Sequence, residues 1–160
     1  MVAIINGWTV YAHPCFQDVY DALVVEVTEL KTRFPDTYQQ KKATKLLAVV
    51  HQVIEQGITV NPANPAYAQG STLGDKYLKW SRSKFGAARY RLFFRYSLSQ
   101  KVIVLGWMND ETTLRTYNSK TDAYEVFRKM LRKKRPPTDW NMLIHESVAF
   151  RDASVKSPAG

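Results

Sequence analysis

Residues 80–97 read WSRSKFGAARYRLFFRYS and hold five cations (Arg82, Lys84, Arg89, Arg91 and Arg95), six aromatics and no acid. Side chains alternate between the two faces of a strand, so Arg91, Phe93 and Arg95 share one side and Tyr90, Leu92, Phe94 and Tyr96 the other. Arg82 and Lys84 share a face of the preceding segment in the same way. If the two segments pair about a turn at 86–89, four cations gather on one sheet surface around Phe93. Like charges so close repel one another, and the cluster is stable when an anion sits among them. Arginine offers a planar, two-pronged donor that matches a phosphate. For any single arginine a solvated outer face is the plainer reading. Five cations without an acid favour phosphate binding.

Other chemistry is sparse. Arg128 and Lys129, followed by Arg132, Lys133, Lys134 and Arg135, stand at a helix end, where cations complement the helix dipole. A solvated, capping role is the plainer reading of this cluster, and a secondary contact with a polyanion backbone the sharper one. His13, His51 and His145 show no metal-ligand spacing, and no acid is read at helical distance from any of them. Cys15 is the one cysteine, which excludes an internal disulfide and a cysteine-based zinc site and reads as a small buried residue. There is no G-x-x-x-x-G-K-[ST] loop, no G-x-G-x-x-G turn and no nucleophile elbow. No cofactor and no metal are expected.

The elements that must position the cations can be read from period and punctuation. Trp8–Ala12 reads as a strand. His13 and Pro14 open a helix whose apolar face (Phe16, Val19, Tyr20, Leu23, Val27, Leu30 and Phe34) runs to Pro35. Asp36 and Gln39 resemble a capping box for a second helix, faced by Ala43, Leu46, Leu47, Val50 and Ile54 and ending at Gly57. The short connection predicts an antiparallel helical hairpin. Residues 61–79 read as loop. Strands are expected at Trp80–Phe85, Tyr90–Ser97 and Lys101–Met108. Asp122 and Glu125 cap a helix with Tyr124, Phe127 and Leu131, and Asp139 starts a last one with Trp140, Leu143 and Ile144. The order predicts an α+β fold, a small antiparallel sheet packed against an N-terminal helical hairpin with C-terminal helices. Residues 1–150 suit a single domain, with 151–160 a frayed tail.

A net charge of +9, from 23 Lys/Arg against 14 Asp/Glu, predicts a polyanionic partner such as nucleic acid, an acidic protein or an anionic membrane. No apolar run approaches the roughly 18 residues of a membrane span. The N-terminus carries neither a basic n-region nor a long apolar stretch, so a cytoplasmic protein is expected.

The segments NGWTVYAHPCFQDVYDAL, ATKLLAVVHQVI, WSRSKFGAARYRLFFRYS and VIVLGWMNDETTLRTYNSKTDAYEVF resemble the YhaV family of bacterial toxins, over about positions 6–145. These are the toxin halves of type II toxin–antitoxin pairs within the RelE/ParE superfamily. The resemblance implies a RelE-like fold and a ribosome-associated endoribonuclease that cleaves mRNA. It also implies a PrlF-type antitoxin similar to swapped-hairpin transcription factors, so that the complex binds its own operator DNA. The pattern of RelE-type enzymes is met by Arg82, Lys84, Tyr90 and Arg91, with Arg115 as the later arginine and Tyr124, in competition with Tyr117, as the late tyrosine. The chain departs from RelE in carrying Arg82 where that enzyme has lysine, and in a longer 106–121 segment. On this resemblance Lys84 is the candidate base, Arg82 and Arg91 stabilise the phosphate, Arg115 is an acid or second clamp, and Tyr124 stacks on or orients a base. Arg89, Tyr90, Arg95, Lys129 and Arg132 are then the RNA-binding residues. The alternative within the same fold is binding without chemistry, as a gyrase inhibitor or a plain RNA-binding module.

Overall fold

The structure, a computed structural model, describes residues 2–116 and 119–152. Aromatic and β-branched segments form the strands: β1 (Ile4–Ile5), β2 (Trp8–Ala12), β3 (Ser81–Phe85), β4 (Tyr90–Ser97), β5 (Val102–Met108) and β6 (Val148–Ala149). The helices are α1 (Pro14–Arg33), α2 (Lys42–Gln52), α3 (Ala123–Arg132) and α4 (Trp140–Glu146). The fold is α+β, as the element order predicts.

The sheet is mixed, not antiparallel. Its order is β1-β2-β5-β4-β3, with β6 also on β2, and β2 runs parallel to β5 (Thr9 beside Val102, Ala12 beside Leu105). Periodicity fixes where a strand lies but not which neighbour it takes, and a parallel neighbour needs a long crossover, which residues 13–101 provide here. β1 and β6, two residues each, are too short to show a period.

Both faces of the sheet are covered. Tyr90, Leu92 and Phe94 face a core built with Phe16, Tyr20, Leu47, Val50 and Ile54 of the first two helices and the turn that follows them. Phe93, Val104 and Trp107 face a second core with Trp80, Tyr124, Phe127, Leu131 and Leu143. Gly106 makes that second layer possible, because a Cβ there would stand 2.5 Å from the Trp80 indole.

The local stops and starts mostly follow the sequence. His13 caps α1 by accepting from the Cys15 amide at 3.1 Å, with Pro14 in the first turn. Asp122 and Asp139 cap α3 and α4. The Asp36–Gln39 box does not form. Residues Tyr38–Gln40 make a 3₁₀ turn, and α2 begins after Lys41 without a side-chain cap. Nor does α2 stop cleanly at Gly57, since Val53–Ile58 continues it as a π-helical turn. Trp80 precedes β3, and Lys101 sits in the turn before β5 at φ 56. Arg151 and Asp152 are tied to α1, through Asp21 at 2.9 Å and the Tyr20 hydroxyl at 2.7 Å. Residues 153–160 of the expected tail lie outside the described residues.

Candidate active site

The β3–β4 register sets the site. Arg82 pairs with Phe93 and Lys84 with Arg91, so these side chains share a face, because residues opposed across a ladder point the same way. Gly86, at φ 59, opens the turn between the strands. Arg91 braces that turn, donating through Nη1 to the carbonyls of Ala88 (2.7 Å) and Tyr90 (3.1 Å).

Tyr124 is the meeting point. Phe127 stacks on Phe93 with centroids 4.2 Å apart and so fastens α3 to the sheet. Tyr124 lies one turn earlier on the same face. Its hydroxyl accepts from Arg82 Nε (2.9 Å) and from Arg91 Nε (3.1 Å). The Arg115 guanidinium lies over its ring, 4.7 Å from the centroid. A phenol with two guanidinium donors on its oxygen is left to donate its own proton elsewhere. The residue is 4% exposed and its ring meets Phe93 edge-on, so the hydroxyl rather than a ring face is what it offers a ligand. Among the described residues, Arg82 and Arg91 each keep Nη2 without a hydrogen bond, since Arg82 Nη1 is spent on the Ala66 carbonyl.

Two polar residues hold the third arginine in place. Asp122 receives Arg115 Nη1 at 2.6 Å and the Thr116 amide on one oxygen, and caps α3 at Tyr124 with the other. Asn109 is fully buried. It accepts from the Arg91 amide (2.7 Å) and donates to the carbonyls of Arg89 and Thr113. Arg89 and Arg115 exchange backbone and side-chain bonds, Arg115 N to Arg89 O and Arg89 Nε to Arg115 O. Beside Tyr124 opens a cleft of about 540 Å³ whose walls include Arg115, Lys120, Asp122, Arg128 and Lys129.

The structure therefore brings together Arg82, Lys84, Arg91, Arg115 and Tyr124, with exposed Arg89 and Lys129 at the margin. It does not bring Tyr90, Arg95 or Arg132 to them. Tyr90 points to the other face and stacks on Phe85 at 5.5 Å, as strand alternation requires of the residue before Arg91. Arg95 lies under Trp140, where burial pushes its guanidinium below the ordinary arginine pKa and Asp139 acts the other way. Arg132 lines a different cleft with Lys76 and Lys134. Tyr117 lies outside the described residues. Asp122 was legible as a cap but not as the partner of Arg115. Asn109 left no signal beyond a polar run, and Arg128, which the sequence marks only as part of the cation cluster at the helix end, donates to the Thr72 carbonyl at 2.8 Å.

The histidine expectation needs correcting. Glu55 stands four residues after His51 and is paired with its Nε2, while Asp152 meets Nδ1 at 2.8 Å. Potential ligand atoms of these three residues lie within 4.8 Å of one another, beside the helices that cover the opposite sheet face. Burial also pushes the Cys15 thiol up, with Arg135 working against it.

Residues 10–148 match a family described as a toxin with endonuclease activity, of a toxin–antitoxin system. The chain is 65% identical over 144 residues to the ribonuclease toxin YhaV of Escherichia coli K12, covering 89% of this chain and 94% of that one. The YhaV toxins of strains O157:H7 and O6:H1 match to the same extent. No solved structure matches. The chain belongs to the YhaV family of toxin–antitoxin toxins, whose described activity is that of an endonuclease.

Proposed function

We propose that the chain is the toxin of a type II pair that cleaves mRNA at the ribosome by attack of the RNA's own 2′-OH on the adjacent phosphorus. The observation that carries this reading is the Tyr124 hydroxyl held between two arginine Nε groups, with Arg115 over its ring. Cleavage of this kind requires an aligned nucleophile, a base, donors for a phosphorane and an acid for the departing 5′-oxygen. Arg82 and Arg91 would use their uncommitted Nη2 groups on the phosphorane oxygens. Lys84, exposed and directly across the ladder from Arg91, is the candidate base. Tyr124 takes the acid role in place of base stacking, because two guanidinium donors stabilise the phenolate it would become. Arg115 is then a clamp, since arginine does not yield a proton.

The family description favours chemistry over the gyrase-inhibitor and binding-only alternatives. The chain's antitoxin partner is taken to be of the PrlF type, joining it to operator DNA, and the setting is cytoplasmic. Among the described residues no helix is long and apolar enough to cross a membrane. The fold is read as RelE-like, with α1 and α2 as a helical hairpin against the sheet. No step of the proposed chemistry calls for a metal.

The test is to replace the 2′-OH at the cut position by hydrogen or O-methyl in mRNA on programmed ribosomes. Cleavage should vanish with affinity little changed, and the unmodified product should carry a 2′,3′-cyclic phosphate and a 5′-OH. A cut 2′-deoxy substrate, or a magnesium-dependent 5′-phosphate, overturns the mechanism.

A further inference from the structure

The same sheet face carries a second cationic place. Arg95 lies four residues along β4 from Arg91, about 13 Å at the usual strand rise. The Phe93, Phe127 and Trp107 stack stands between them. Arg95 is 8% exposed. Its guanidinium carbon lies 5.2 Å from the Trp140 ring centroid, Nη1 donates to the Thr138 carbonyl, and Nε has no acceptor among the described residues. Nor does any carboxylate of the described residues lie within ion-pair distance of it.

A buried cation without a counter-ion is unfavourable, and one carbonyl with an indole face offsets only part of that penalty. An apolar side chain under Trp140 would pack without it. The position opens on a cleft of about 500 Å³ that also holds Lys76 and Lys79, both exposed. Two acids line the same cleft. Asp139, which caps α4 through the Met142 amide, supports the Arg95 charge from a distance but makes no ion pair with it, and Asp75 is exposed.

We infer that Arg95, Lys76, Lys79 and the half-buried Trp140 form a second RNA subsite, separate from the Tyr124 cluster, binding a backbone phosphodiester on the cations and a neighbouring base against the exposed part of the indole. This rests on the RNA-cleaving reading above. Guanidinium, ammonium and aromatic groups side by side are the combination that holds single strands without reading sequence. The substrate therefore extends well beyond the cut step, and the subsite contributes affinity and placement.

The test compares two uncleavable 2′-O-methyl RNAs, one of about 12 nucleotides and one spanning only the cut step, a range that covers single-strand site sizes. Their affinities for the full chain are measured as salt is raised. Arg95→Gln is the direct variant, and Lys76→Gln with Lys79→Gln is the exposed pair that leaves the core untouched. In both, the affinity advantage of the long RNA should fall about tenfold, and the slope of log affinity against log salt should shrink by about 0.7 for each phosphate no longer neutralised. An unchanged advantage and slope in a folded double-lysine variant overturns the subsite while leaving the cleavage reading intact. Variants that lose the antitoxin but keep long RNA would assign the place to an acidic protein segment and also overturn it. If the unaltered chain binds the long RNA no better than the short one, the subsite falls, while the cleavage reading is decided separately on programmed ribosomes.

Discussion

Arg82 and Arg91 make the same bond to Tyr124 but are held differently, and that separates their mutants. Arg82 is half-buried and gives its other bond to the Ala66 carbonyl, whereas Arg91 is 4% exposed and also closes the 86–89 turn. Loss of one transition-state donor lowers a rate by roughly 10²–10³-fold. Arg82→Ala should do that with little change in melting temperature. Arg91→Ala should lose as much cleavage and also destabilise the chain by about 1–3 kcal/mol, the range for stripping partners from buried polar groups. Lysine at position 91 should recover part of the fold and little of the activity, because it lacks the planar fork. Thermal melts beside single-turnover cleavage decide this. Equal melting points for the two alanine variants would contradict the bracing role of Arg91.

At the scale of elements, α3 is placed by one apolar contact and one acid. Phe127 on Phe93 sets its height over the sheet, and Asp122 ties its first turn to Arg115 and Thr116. Asp122→Ala should remove an N-cap, about 0.5–2 kcal/mol, and also release Arg115 from its place above the tyrosine ring. The expected outcome is a modest drop in stability with a larger loss of cleavage, and asparagine should restore the cap but not the ion pair. Cleavage that tracks stability alone in both variants would reduce Asp122 to a cap.

The same elements show what a sequence can carry. The strands at 90–97 and 102–108 and the caps at Asp122 and Asp139 follow from alternation and capping chemistry, which are local. So does the gathering of Arg82, Lys84 and Arg91, because a hairpin fixes its own register. The parallel β2–β5 pairing, the ties of Asn109 to Arg89 and Thr113, and the separation of Arg95 by an aromatic stack depend on partners distant in the chain or on volume, and no local pattern encodes them. Tyr90 illustrates the cost of position without direction. It adjoins Arg91 in sequence and faces the opposite core.

At the scale of the molecule, the sheet divides the labour. One face and its two long helices build a core with Phe16, Tyr20, Leu92 and Phe94, while the other carries the cations in gaps of a smaller aromatic core. The arginines are thereby fixed by packing before any RNA arrives, which is the preorganisation that electrostatic catalysis requires. The central claim is that the Tyr124 hydroxyl, poised between Arg82 and Arg91, is the proton donor of an RNA-cleaving centre. Tyr124→Phe tests it most directly, since it keeps the ring against Phe93 and removes one oxygen. Single-turnover cleavage on programmed ribosomes should fall by roughly 10²–10⁴-fold, the usual contribution of a general acid, with RNA affinity unchanged. A folded Tyr124→Phe chain that binds RNA normally and cuts at the unaltered rate would contradict it.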